Sequence, residues 1–175
     1  MKPILILCLG NEILSDDGFG PAVARQMEKD LSENPSTEVV YASVAGLNLL
    51  DLIDRRRRVL IVDSILTGKV DAGHIHFFPA NVAVPSRALV GSHQISLPVA
   101  LSLGDRLGLV MPEEIDVLAV EAGDVCTLSE QMTPPVAAAV EPAIRQIHEW
   151  LNNHAGSLTQ ESVHETNRTP EVAVT

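Results

Sequence analysis

The chain opens on an apolar run of strand length, Pro3–Leu9 (PILILCL), which empties into a glycine-rich stretch, Gly10–Gly20 (GNEILSDDGFG). Beyond it Val23, Met27 and Leu31 recur at helical spacing and predict a helix over roughly Gly20–Leu31. A polar turn with Asn34-Pro35 leads to a short strand, Glu38–Ala42, rich in β-formers. After Ala45-Gly46, the apolar positions Leu47, Leu50, Leu52 and Ile53 mark a short helix. Val59–Val62 is a continuous apolar strand ending at Asp63, the pattern of a strand covered on both faces. Gly68–Gly73 reads as a turn and His74–Phe78 as a fourth strand. A proline-punctuated loop follows, and His93 opens a helical segment with Leu97, Leu101 and Leu107, broken or capped near Gly104 and Gly108. Glu114–Val120 is the fifth strand, ending at Glu121. Pro134 and Pro135 suit the first turn of a last helix that runs to about Leu151, with Thr133 as its N-cap.

Strands that alternate with helices predict an α/β three-layer sandwich: a twisted, mostly parallel sheet of about five strands with helices on both faces. Residues 1–154 form one domain in this reading. From Ala155 the sequence turns polar and aperiodic, so 155–175 is expected to be a disordered tail.

Composition narrows the function. A hydrophobic content of 46% against 20% charged residues is that of a globular chain, and no apolar run reaches membrane-spanning length. The N-terminal apolar stretch lacks the cleavage site of a signal peptide. A net charge of −11 argues against nucleic acid, since phosphate neutralisation needs clustered Lys and Arg. The one basic run, Arg55–Arg58, is expected to be a charged turn facing solvent. Cys8 and Cys126 have neither disulfide-framework nor metal-finger spacing and read as reduced thiols in a cytoplasmic protein.

Chemistry concentrates at three loop mouths. Asp17 follows the first strand, Asp63 terminates the third, and His93 begins a helical segment. In doubly wound sheets ordered 2-1-3, the carboxyl ends of strands one and three flank the crevice where the order reverses. Two carboxylates and an imidazole meeting there make a mixed oxygen and nitrogen site for a divalent transition metal. Taken singly, each has a plainer account: Asp16 or Asp17 capping the next helix, Asp63 capping a loop, His93 starting a helix. His74 and His76 share a strand face by their spacing; metal binding is one reading, and the preferred one puts them on the solvent side of an edge strand.

Four blocks, GNEILSDDGFGPAV, SVAGLNLLDLI, VLIVDSI and SHQISLPVAL, resemble in that order those of the hydrogenase maturation endopeptidases, which trim the C-terminus of the nickel–iron hydrogenase large subunit. The resemblance covers roughly Met1 to Leu151. It implies that Asp17, Asp63 and His93 bind the metal, and that Gly46 contacts substrate. It also implies that nickel arrives in the large-subunit precursor and gates cleavage, with no organic cofactor, membrane or nucleic-acid partner; the protein is expected to act as a monomer. Asp16 is left with two roles, a general base orienting water or a hydrogen-bonding anchor for its loop. The block Glu121–Asp124 (EAGD) departs from the version with glycine and proline in several members, so what that loop recognises is open.

Other chemistries fit less well. There is no G-x-S-x-G turn for a serine hydrolase and no G-x-G-x-x-G for a dinucleotide. Cys126 has no family signature or basic neighbour to activate it. A phospho-signalling receiver domain also pairs acids after strand one and ends strand three in Asp. It requires a lysine at the end of the last strand, whereas the last lysine here is Lys69. A non-catalytic nickel-dependent assembly chaperone would use the same three ligands.

Overall fold

The two unbroken apolar runs become the centre of a sheet. In the computed structural model, which describes residues 1–43, 47–81 and 97–165, the strands are β1 (Ile4–Leu9), β2 (Thr37–Ala42), β3 (Arg58–Ile65), β4 (Ile75–Pro79) and β5 (Glu114–Glu121). Their order is β2-β1-β3-β5-β4. The β2–β1, β1–β3 and β3–β5 pairs are parallel, and β4 adds to the edge of β5 antiparallel. The helices are α1 (Phe19–Asp30), α2 (Asn48–Ile53), α3 (Leu97–Arg106) and α4 (Pro134–Glu165).

Successive residues of a strand face opposite ways, so a run with no polar member must be covered twice. All six residues of β1 are buried. Ile4, Ile6 and Cys8, with Leu60, Val62, Leu118 and Val120, pack against Phe19, Val23 and Met27 of α1 and Ile147 and Trp150 of α4. Leu5 and Leu7, with Val59, Ile61, Ile65 and Val117, pack against Leu49, Leu50 and Ile53 of α2 and Leu101 of α3. Full burial of such a side chain is worth about 1.5–3 kcal/mol, so these two layers dominate the stability.

Several elements differ from the sequence expectation. α3 runs through Gly104 and stops at Arg106, and the chain then turns at Gly108, whose φ is 75°. Gly104 lies where the sulfur of Met111 packs on the helix, a space a side chain would fill. α4 does not end near Leu151 but continues to Glu165, so 155–165 of the expected tail are drawn as helix; residues 166–175 lie outside the described residues. No proline stands between Leu151 and Pro170 to stop it, and Pro142, inside the helix, removes one backbone hydrogen bond without ending it. Nor is Arg55–Arg58 simply a solvated turn. Arg56 is 8% exposed, ion-pairs with Glu38 at 2.6 Å and donates to the Lys2 carbonyl, while Arg57 and Arg58 pair with Glu113 and Glu114. Arg56, Arg57 and Arg58 are thus taken up by ion pairs within the chain, while Arg55 stays exposed beside Asp54.

The β1–α1 connection depends on close backbone approach. A Cβ at Gly20 would overlap the Leu9 carbonyl, which holds the start of α1 against the end of β1. Gly20→Ala is therefore expected to lower the stability of the protein by about 3 kcal/mol. A urea titration would read this as a lower midpoint at unchanged slope, and an unchanged midpoint would contradict it.

Candidate active site at the carboxyl edge of the sheet

With the order 2-1-3, the chain leaves β1 and β3 at adjacent carboxyl ends, and the crevice at this reversal is where open α/β sheets place ligands. The loop after β1 folds into a single 3₁₀ turn, Ser15–Gly18, that carries both acids. Ser15 enters it with φ 46°, a left-handed conformation costing a non-glycine residue about 1–2 kcal/mol. That strain is held by the loop between β5 and α4: the Ser15 amide donates to the Ser129 carbonyl at 2.8 Å, and its hydroxyl to the Gln131 carbonyl.

Asp16 and Asp17 part company here. Neither side chain caps α1, contrary to the simple capping expectation for one of the pair. Asp16 is wholly buried and accepts from the Gly123 and Asp124 amides at 2.8 and 2.9 Å, and from the Thr133 amide and hydroxyl at 2.7 and 3.0 Å. Of its two expected roles, this geometry serves the anchoring one, since every donor comes from the β5–α4 segment. Thr133 stands before α4 as expected, but its hydroxyl donates to Asp16. The EAGD block is thus tied to the acidic loop through Gly123 and Asp124.

Asp17, half-exposed, points the other way and accepts the Ser64 hydroxyl at 2.8 Å. Ser64 follows Asp63 and anchors Asp17 from the opposite face of β3, a role the sequence reading missed. Asp63, also half-buried, accepts the Ser64 amide at 2.7 Å. Burial and the adjacent negative charge of Asp17 push its carboxyl up to about 7, against the weaker pull of that amide. A buried carboxyl beside a second acid is one that a nearby cation would stabilise in its charged form. Of the three expected ligands, the structure brings Asp17 and Asp63 together. His93 and Gly46 lie outside the described residues.

Farther along the same edge, Glu121 is 1% exposed and accepts from the Thr67 and Gly68 amides, the Thr67 hydroxyl and the His76 ring, at 2.8 to 3.1 Å. Burial opposes its ionisation, but these donors outweigh it and hold its carboxyl below the usual range. His76 is therefore not merely a solvent-side residue: it is half-buried against an anion, with the exposed His74 ring 4.9 Å away. The sequence signal was present, an acid closing an apolar run as Asp63 also does, although β3 continues past Asp63 to Ile65.

One other grouping brings metal-binding types together among the described residues. Ligand atoms of Glu114, Asp116 and His154 lie within 4.8 Å of one another. It sits at the amino end of β5, the opposite rim. Its members already have protein partners: Trp150 donates to Asp116 at 2.8 Å, and Arg58 and His154 meet Glu114 at 3.2 Å. These contacts dock α4 on the sheet. Cys8 is buried beneath β1's end, and desolvation, with Glu28 and Asp63 nearby, pushes its thiol up, so it supplies no nucleophile.

The chain is similar to several known proteins. Residues 21–150 match the family described as hydrogenase maturation protease. The chain is 25% identical over 165 residues to the hydrogenase 2 maturation protease of Escherichia coli K12, covering 93% of this chain and 99% of that protein. It is also 25% identical over 154 residues to the hydrogenase expression/formation protein HupD of Rhizobium leguminosarum bv. viciae, covering 84% and 75%. The hydrogenase maturating endopeptidase HybD from E. coli superposes with a TM-score of 0.69 at 24% identity, over 88% of this chain and 94% of that one.

Two outcomes follow from the acids. Asp16→Ala leaves several buried donors unpaired and is expected to cost about 3 kcal/mol or more, with Asp16→Asn losing less, measured by chemical denaturation. Asp63 keeps its proton to about pH 7 when folded but loses it near 3.8 when unfolded, so its stabilising contribution is complete below pH 3.8 and is lost as pH rises toward 7. Subtracting the stability profile of Asp63→Asn from that of the wild type should reveal this fall. A flat difference would contradict the raised Asp63 carboxyl.

Proposed function

The chain belongs to the hydrogenase maturation protease family, and from that premise we propose that it removes the C-terminal extension of a nickel-loaded nickel–iron hydrogenase large-subunit precursor. Asp17, Asp63 and His93 would grip the nickel that the precursor carries. The observation supporting this is that Asp17 and Asp63 stand near one another at the reversal of strand order, where burial and the charge of Asp17 push the Asp63 carboxyl up to about 7.

The chemistry of that donor set suits a checking step. Three hard or borderline ligands with open positions hold nickel weakly by themselves, and the precursor's own metal ligands complete the shell. A metal shared by two proteins then supplies recognition and a Lewis acid beside the scissile carbonyl. A precursor without nickel offers the two carboxylates nothing to share. Ser64 fixes Asp17 and Asp16 fixes the loop, so the acids are set before substrate arrives. Gly46 is proposed at substrate contact, and the protein is proposed to work as a cytoplasmic monomer. Among the described residues no helix is long and apolar enough to cross a membrane.

The receiver reading is disfavoured by the family match and by β5 ending in Glu121 rather than a lysine. The test is to incubate the protein with nickel-loaded and nickel-free precursor. Cleavage of the loaded form alone is expected, equal cleavage of both would contradict nickel gating, and cleavage of neither would favour an assembly chaperone. Asp17→Ala, Asp63→Ala and His93→Ala should each lower processing at least about 100-fold while retaining the wild-type circular dichroism spectrum. A wild-type rate in the His93 variant would remove that residue from the site.

A further inference from the structure

The turn after β3 ends at His74, and two residues on stands His76 of β4. Residues two apart on an extended strand project to one face, so both imidazoles stand on the same side of the sheet edge. The His74 carbonyl accepts from the Glu121 amide at 2.8 Å, continuing the pairing of β4 with β5, which brings the Glu121 side chain to that face as well. The two rings lie 4.9 Å apart between centroids, with their planes at 73°.

That separation is what one metal ion requires of two imidazoles. A ring nitrogen binds zinc at about 2.0–2.1 Å, which places the ring centroid about 3.2 Å from the ion. Two neighbouring ligands at an angle of about 90–110° then have centroids about 4.5–5.2 Å apart. The pair falls inside this range with the backbone as it stands.

The second observation is the carboxylate behind one ring. Nε2 of His76 meets the Glu121 carboxylate at 3.1 Å, and an ionised carboxylate only accepts, so Nε2 carries the proton and Nδ1 presents a lone pair. Glu121 is itself fixed by the Thr67 amide and hydroxyl and the Gly68 amide, each at 2.8 Å. Metal-binding histidines characteristically donate their other ring N–H to a carboxylate in this way. His74 is exposed, so its ring can turn a nitrogen toward an ion arriving from solution.

We propose that His74 and His76 form a binding site for a divalent transition-metal ion of the zinc and nickel class, with Glu121 orienting His76. Imidazole suits these borderline ions, whereas magnesium and calcium take oxygen ligands. Water fills the positions that two imidazoles leave open, and such a site exchanges its ion, unlike a closed four-ligand structural site. The pair stands on the edge strand, with β5 between it and Asp63 of β3, and shares no residue with the acids. The inference therefore goes beyond the function proposed above and does not depend on it.

The probe is Zn²⁺ alone, titrated into the full chain while the side-chain nitrogen resonances of His74 and His76 are followed by NMR. Both rings are expected to shift together along one saturating curve, with Mg²⁺ moving neither. His74→Ala, at an exposed position, should weaken the His76 response at least about 100-fold, and Glu121→Gln by about 10–100-fold, with the wild-type circular dichroism spectrum retained. Rings that stay unmoved in excess Zn²⁺, or a His76 response unchanged in His74→Ala, would overturn the site. An unchanged affinity in Glu121→Gln would overturn the orienting role of Glu121.

Discussion

The carboxylate of Asp16 is the interaction on which the site depends. It is wholly buried and satisfied by donors from one distant segment, Gly123, Asp124 and Thr133. A buried charge is tolerated only when its lone pairs are filled, so the β5–α4 loop has to be in place for the acidic loop to fold. That requirement runs both ways. It fixes the 3₁₀ turn, holds Ser15 in its left-handed conformation and sends the neighbouring side chain, Asp17, toward β3.

Adjacent acids thereby acquire opposite properties. Asp16 has its charge neutralised by amide dipoles and no room for solvent. Asp17 keeps partial exposure and one hydroxyl donor, and its charge is felt by Asp63 across the strand boundary. The result is local electrostatic frustration at the point where the sheet reverses its order. Frustration of this kind is stable in the folded protein because the two apolar layers flanking β1 and β3 supply the stabilisation.

The two ends of the sheet solve their polar problems differently. At the amino rim, Arg56, Arg57 and Arg58 face Glu38, Glu113 and Glu114, and Trp150 satisfies Asp116, so charge is paired within the chain. At the carboxyl rim the acids are met by hydroxyls and amides, and in one case by an imidazole. One rim is closed on itself and the other retains capacity for a ligand, which is the division expected of an open α/β sheet.

The strands, their mostly parallel order and the carboxyl-end placement of Asp17 and Asp63 were legible in the sequence, because unbroken apolar runs and glycine punctuation report burial and turning locally. The resemblance of four separate blocks pointed to the family that the comparisons support. Three things were decided only by tertiary structure. Which of two adjacent acids is structural depends on donors more than a hundred positions away, and sequence adjacency carries no record of them. Whether the arginine run faces solvent depends on the acids of other strands. The pairing of His76 with Glu121 arises because β4 joins the sheet antiparallel at its edge, a choice of direction that a five-residue strand does not encode in its own pattern.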